Sequence, residues 1–133
     1  MNWSKALIAG VVSGIVLFFA DFVMHGLIMA NTYAKYPVFV QEDGGIHWFL
    51  LISLCIGIAL AILFAKTRQS WADGAKGGAT FGFWTGLVVF FTPFYSSLVI
   101  EGFPYYLSWC QGGIILIGMM LMGATMGMLY KRS

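Results

Sequence analysis

Four long apolar stretches, at about 5–30, 46–66, 75–100 and 104–130, alternate with short polar segments, and each can cross a hydrocarbon core that needs about 20 apolar residues per helix. KTRQSWADG joins the second to the third, and only the turn around Glu101, Gly102 and Pro104 joins the third to the fourth. Links this short make consecutive helices antiparallel neighbours, so the pattern predicts a single all-α domain: an up-and-down bundle of four transmembrane helices. The segment after the first stretch, NTYAKYPVFVQEDGG, is longer than a connection requires. Its Tyr33, Tyr36, Pro37 and Phe39 fit a segment lying on the membrane or covering the end of the bundle, and an extended linker fits equally well.

Composition argues against a bundle bathed in water. Hydrophobic residues make up 60% of the chain and Asp, Glu, Lys and Arg only 9%, against about 25% charged residues in soluble domains. The distribution of the charges then orients the helices. Lys5, Lys66, Arg68, Lys76, Lys131 and Arg132 fall on one side of four alternating spans and Lys35 alone on the other. Positive charge near a span end resists translocation, so both termini are expected in the cytoplasm. Trp3, Trp71 and Tyr130 on that side, with Tyr33, Trp48, Tyr105, Tyr106 and Trp109 on the other, sit where interfacial anchors belong, whereas Trp84 falls well inside the third span. The net charge of +2 is spread over three segments and forms no polybasic run, which suggests neither nucleic acid nor a specific anionic lipid and leaves the lipid bilayer as the expected surroundings. The first stretch exceeds the roughly 7–15 apolar residues of a secretory signal core and no A-x-A site follows it, so it is expected to be retained. Cys55 and Cys110 lie in separate spans without a CxxC pair and are expected to be small buried residues.

Glycine spacing predicts how the helices meet. The third span carries Gly74, Gly78, Gly82 and Gly86, the first Gly10 and Gly14, and the fourth Gly123 and Gly127. Residues four apart share a helix face, and in lipid small residues let backbones approach and gain dispersion contact. Such seams serve contacts within the bundle or between copies, and a homo-oligomer or a larger membrane complex is expected. Trp3, Gly10 and Gly14 also match Trp71, Gly78 and Gly82 at a constant offset, followed by FFADF (18–22) against FFTPF (90–94). That match fits a parallel repeat or chance, and the second and fourth spans show no comparable correspondence.

Chemistry concentrates at one pair of residues. Asp21 and His25 continue the stripe Gly10, Gly14, Leu17 at spacings of three and four, which turns both toward the packed face. At 1.5 Å per residue Asp21 lies about 24 Å beyond Lys5, in the outer half of a membrane. A charged Asp at the bilayer centre costs about 2.5–3.5 kcal/mol, so such residues find a partner or mark a pathway. His25 is the nearest candidate partner, and the pair can hold or release a proton. A structural bond that pins helix register, a site for a proton, cation or small polar ligand, and metal or haem ligation all fit. For metal, His25, His47 and Glu101 are the candidates, with Asp21 and Cys110 at the same end, although no pair has a recognised spacing. Glu42 and Asp43 read as solvated loop charges, and Glu101 fits a solvated turn residue and His47, beside Trp48, an interfacial anchor.

Pro93 interrupts the third span and frees a carbonyl near Thr92, Tyr95, Ser96 and Ser97 at about the depth of Asp21, while Gln111 enters the fourth span near that level. The expectation is an outward-opening polar pocket walled by the first, third and fourth helices, with Asp21, His25, Tyr95, Ser96 and Gln111 as ligand- or ion-binding residues. An ordinary kink relieved by its hydroxyl neighbours accounts for Pro93 equally well. No Ser/His/Asp or Cys/His set, phosphate loop or HExxH is present, so no catalytic residue is assigned, no enzyme is expected and no cofactor is called for.

With DFVMHGLIMANTYAKYP, GAKGGATFGFWTG and GGIILIGMMLMGATMGMLYK in view, the chain resembles small bacterial four-helix integral membrane proteins of unknown function. The resemblance implies the fold and a place in the bacterial inner membrane, and it carries over no functional residue. A protein that binds or conducts a small ion or small polar molecule is the expected function. A non-catalytic accessory subunit of a larger membrane complex is the alternative, and a haem- or metal-binding membrane protein the third.

Overall fold

The computed structural model describes residues 1–39 and 45–132, which leaves Glu42 and Asp43 outside the described residues. It is helical: α1 (Trp3–Asp21) runs into a π-helical segment (Phe22–Ile28), a short α2 (Ala30–Tyr33) follows, then α3 (Ile46–Lys66), a 3₁₀ turn (Arg68–Ser70), α4 (Gly74–Phe90), α5 (Pro93–Val99) and α6 (Tyr105–Leu129). Four helical segments, Trp3–Ile28, Ile46–Lys66, Gly74–Val99 and Tyr105–Leu129, are long and apolar enough to cross a membrane. Their outward surfaces carry large apolar side chains such as Trp84, Val88, Leu98 and Val99, each more than half exposed. A soluble monomer rarely shows so much contiguous apolar surface.

Local chemistry sets several ends. Asn2 caps α1, its side-chain oxygen accepting the Lys5 N–H at 3.0 Å. Gly102 turns the chain from α5 to α6 at φ +83°, a left-handed conformation with little strain only for glycine. At Pro93 the chain lacks the N–H that would bond the Val89 carbonyl. Thr92 supplies both replacements, its hydroxyl at 2.7 Å and its N–H at 3.0 Å.

Two helical hairpins close on glycine. In the first, a β-carbon added at Gly10 meets the Ile58 Cα at 2.7 Å, and one at Gly14 meets the Ser53 carbonyl oxygen at 2.8 Å, so α1 and α3 run antiparallel in backbone contact. In the second, Gly78 and Gly82 of α4 abut Gly123, Gly127 and Met119 of α6 in the same sense, with Gly86 against Leu116 and Met119. The closures correspond atom for atom. A β-carbon at Gly57 strikes the Gly10 oxygen and the Gly14 N and Cα, and one at Gly123 strikes the Gly78 oxygen and the Gly82 N and Cα. The likeness of first and third spans thus extends to the second and fourth, through Ser53, Gly57 and Ala61 opposite Met119, Gly123 and Gly127.

α6 also lies antiparallel along α1, joining the hairpins. The remaining seam departs from the expectation that consecutive helices all pack together. α3 and α4, though joined by a short link, touch through Phe64 and Phe81, ring centroids 5.1 Å apart, and otherwise enclose an apolar cleft of about 670 Å³ lined by Leu60, Leu63, Val88 and Val89. Glycine draws each of these two helices toward another partner, and the bulky side chains between them prevent equal approach. The core of Ala6, Ala9, Phe64, Phe81, Met122, Met126 and Tyr130 fills the end of the bundle where α1 begins and α6 finishes. The polar pair sits at the opposite end.

Candidate functional site

α1 gives way at Asp21 to a wider helix in which the Met29 N–H reaches back five residues to the Met24 carbonyl at 3.0 Å. Such π-turns occur mostly as single insertions and often at functional sites. Here the wide turn sets Asp21 and His25, with Phe18 and Phe22, along one side of a cavity of about 420 Å³. The facing walls come from Tyr33 of α2, Phe39 of the following segment, Ile46 and Phe49 of α3, and Gln111 of α6. The segment after α1 therefore covers the end of the bundle, one of the two arrangements its aromatics suggested. Tyr33 packs on Phe39 (centroids 4.6 Å) and Phe39 on Phe103 (5.6 Å), and the Tyr36 and Tyr106 hydroxyls share a hydrogen bond of 2.6 Å.

His25 finds a partner other than the one expected. Its Nδ1 lies 2.5 Å from the Tyr33 hydroxyl and the two rings stack at 22°, while Nε2 has no partner among the described residues. Burial pushes the Tyr33 phenol above its usual range and the nearby Gln111 amide draws it back in part, so the hydroxyl stays protonated at neutral pH. It donates to Nδ1 of the neutral imidazole; in the imidazolium state Nδ1–H donates to the phenol oxygen.

Asp21 has no hydrogen bond or ion pair to any described residue. The described ion pairs both belong to Asp73, at the other end, with Arg68 and Arg132. The Asp21 carboxylate lies over Gly118 of α6, where an added β-carbon would sit 3.4 Å from Oδ1 and 3.0 Å from the Leu17 Cδ1. It also borders the apolar cleft between α3 and α4. One carboxylate, one imidazole and one amide thus converge on a cavity walled mainly by aromatic rings. Such walls present π-faces that attract cations.

The third span contributes no wall. Tyr95 is 71% exposed, and neither it nor Ser96 lines the cavity, which α1, its π segment, α2, α3 and α6 enclose instead. The cause is the break at Pro93. α5 restarts there and packs on α6, with the Ser108 hydroxyl donating to the Pro93 carbonyl at 3.0 Å and Phe94 edge-on to Trp109 at 5.1 Å. The hydroxyls of Thr92 and Ser97 bond their own helix carbonyls, which is the kink reading of that stretch. His47 stands exposed beside Trp48 and Glu101 is exposed in the turn. Among the described residues, no three His, Cys, Asp or Glu side chains come together as a metal site. Cys55 and Cys110 are free thiols, Cys55 exposed on α3 rather than buried as expected.

Two participants escaped the sequence reading. Tyr33 was visible only as a loop aromatic, and Gly118 lies outside the i, i+4 series at Gly123 and Gly127. No family model, curated protein or solved structure is similar to this chain.

Proposed function

We propose that the chain is a multi-pass protein of the bacterial inner membrane, its four spans arranged up and down with both termini cytoplasmic. Its aromatic-walled pocket binds or passes a small ion or small polar molecule. Asp21 is the anionic anchor, Gln111 a polar contact, and His25, held by Tyr33, the group that accepts or releases a proton. The observation that carries this reading is the convergence of Asp21 and His25 with Gln111, about 90 residues further along the chain, on one cavity. An intramembrane carboxylate with no partner among the described residues is a functional-site signal in its own right.

The test is flux into proteoliposomes, with sodium, potassium, protons and methylammonium as probes. Asp21→Asn is expected to abolish flux of the accepted probe while the protein still folds, and Tyr95→Ala to leave it unchanged. A second reading, an accessory subunit that completes a larger complex, draws support from the open apolar seam between α3 and α4. Under it Asp21→Asn leaves all probes impermeant as before and alters assembly or nothing.

A further inference from the structure

At the opposite end of the bundle the fold gathers cations that are scattered in sequence. A second cavity, of about 680 Å³, is lined by Lys5 of α1, Lys66 at the end of α3, Arg68 and Gln69 of the following turn, and Tyr130 and Lys131 after α6. Among the described residues, no carboxylate lines it.

The construction separates Arg68 from the three lysines. Arg68 is 4% exposed and works as a strut: Nε donates to the Tyr130 carbonyl at 2.8 Å and Nη1 to the Trp71 carbonyl at 3.0 Å, tying the end of α6 to the α3–α4 link. Its Nη2 is buried without a hydrogen bond to any described residue, 3.7 Å from the Asp73 Oδ1. Asp73 also faces Arg132 at 3.5 Å, so this carboxylate is shared between two arginines. Lys5, Lys66 and Lys131 are left without an anionic partner among the described residues. Lys5 rests its ammonium over the Tyr130 ring at 5.7 Å, and Tyr130 is fixed in turn by the Asn2 N–H on its hydroxyl at 3.0 Å.

The ammonium groups of Lys5, Lys66 and Lys131, held around one mouth, repel each other unless an anion joins them. The mouth lies where α1 begins at Trp3, α3 ends at Lys66 and α6 ends at Leu129, the level of the headgroups if these helices span a bilayer. Lysine stems lie along the apolar surface while their ammonium groups reach that layer. Basic pockets between helix ends take acidic headgroups, each lysine adding attraction. We infer that the cavity framed by Lys5, Lys66 and Lys131 is a binding site for the phosphate of an acidic phospholipid headgroup. This rests on the helices standing in a membrane and is independent of the solute pocket.

The test is thermal unfolding of the whole protein in a neutral detergent, with phosphatidylglycerol, phosphatidylcholine or inorganic phosphate added. Phosphatidylglycerol is expected to raise the midpoint and phosphatidylcholine not to. Its apparent affinity should fall about fivefold for Lys66→Gln alone and about a hundredfold when Lys5→Gln and Lys131→Gln are added. A Lys35→Gln, Lys76→Gln protein should bind as the parent does. If the triple variant does not fold, the three single variants carry the test. Equal shifts with both lipids, or variants that keep the parent's affinity, would overturn the site. A full shift with millimolar inorganic phosphate would overturn the lipid assignment in favour of a free anion. A chain released from membranes by alkaline carbonate without detergent fails the membrane reading instead.

Discussion

At Gly118 a hydrogen in place of a methyl group decides how Asp21 sits. A β-carbon there would press the Leu17 Cδ1 at 3.0 Å and the carboxylate at 3.4 Å, both ends of side chains that can yield. Gly118→Ala is therefore expected to cost only about 1 kcal/mol of stability, the low end for overpacking, while displacing Asp21 and weakening solute binding several-fold. Gly113, on the same helix, has no atom of a described residue within 4 Å of its added β-carbon. Gly113→Ala should gain about 0.5–1 kcal/mol of helix propensity and leave binding alone. Chemical denaturation and solute titration of the two variants separate the effects, and equal losses of binding would refute the role given to Gly118. A second expectation concerns Tyr33→Phe, which deletes the hydroxyl on His25 but keeps the ring against Phe39. A neutral hydrogen bond is worth about 0.5–1.5 kcal/mol, so binding should weaken up to about tenfold. Asp21 and His25 were legible in the sequence because helical spacing puts them on one face. Their partners were not, since Tyr33 returns to His25 from beyond a break in the helix and Gly118 answers to no periodicity.

Among the elements, the long helices were readable because runs of apolar residues bounded by turn residues leave few alternatives. The two breaks were readable to different degrees. Pro93 announces itself by chemistry, but what its neighbours do with the freed carbonyl depends on side-chain geometry. Thr92 answers the Val89 carbonyl internally, at 2.7 Å, so the hydroxyl-rich stretch serves its own helix. The π segment at Phe22–Ile28 has no proline or other sequence mark, yet it shapes the cavity wall. A contrast between the breaks follows. Thr92→Val should lower stability by about 1 kcal/mol, the net worth of a hydrogen bond, and leave solute binding unchanged. Asp21→Asn should do the reverse, abolishing binding with little loss of stability, because the carboxylate has no described partner to lose. Thermal unfolding paired with a binding isotherm reads both, and solute binding lost on Thr92→Val would return the third span to the site.

In the whole molecule two helical hairpins are closed alike, each by one glycine set into the backbone of its partner helix. Spacing in the sequence identified the glycine faces of the first, third and fourth spans, but not which helix each would meet. It passed over Gly57, because the seam on α3 is built from Ser53, Gly57 and Ala61, three different small residues. A β-carbon at Gly57 meets the Gly14 N and Cα at 2.7 Å, and one at Gly123 meets the Gly82 N and Cα at 3.0 Å. Backbone cannot yield as a side-chain tip does, so each helix must move away from its partner. Gly57→Ala and Gly123→Ala are each expected to cost about 2–3 kcal/mol, at the upper end for overpacking. The two sites share no partner residue, so the double variant should cost the sum of the single losses within about 0.5 kcal/mol. Unfolding of the three variants in mixed detergent measures these terms. If Gly57→Ala proved harmless while Gly123→Ala unfolded the chain, the first hairpin would not be closed as the second is. The open seam between α3 and α4 could then no longer be regarded as the one unpaired junction of two equivalent halves.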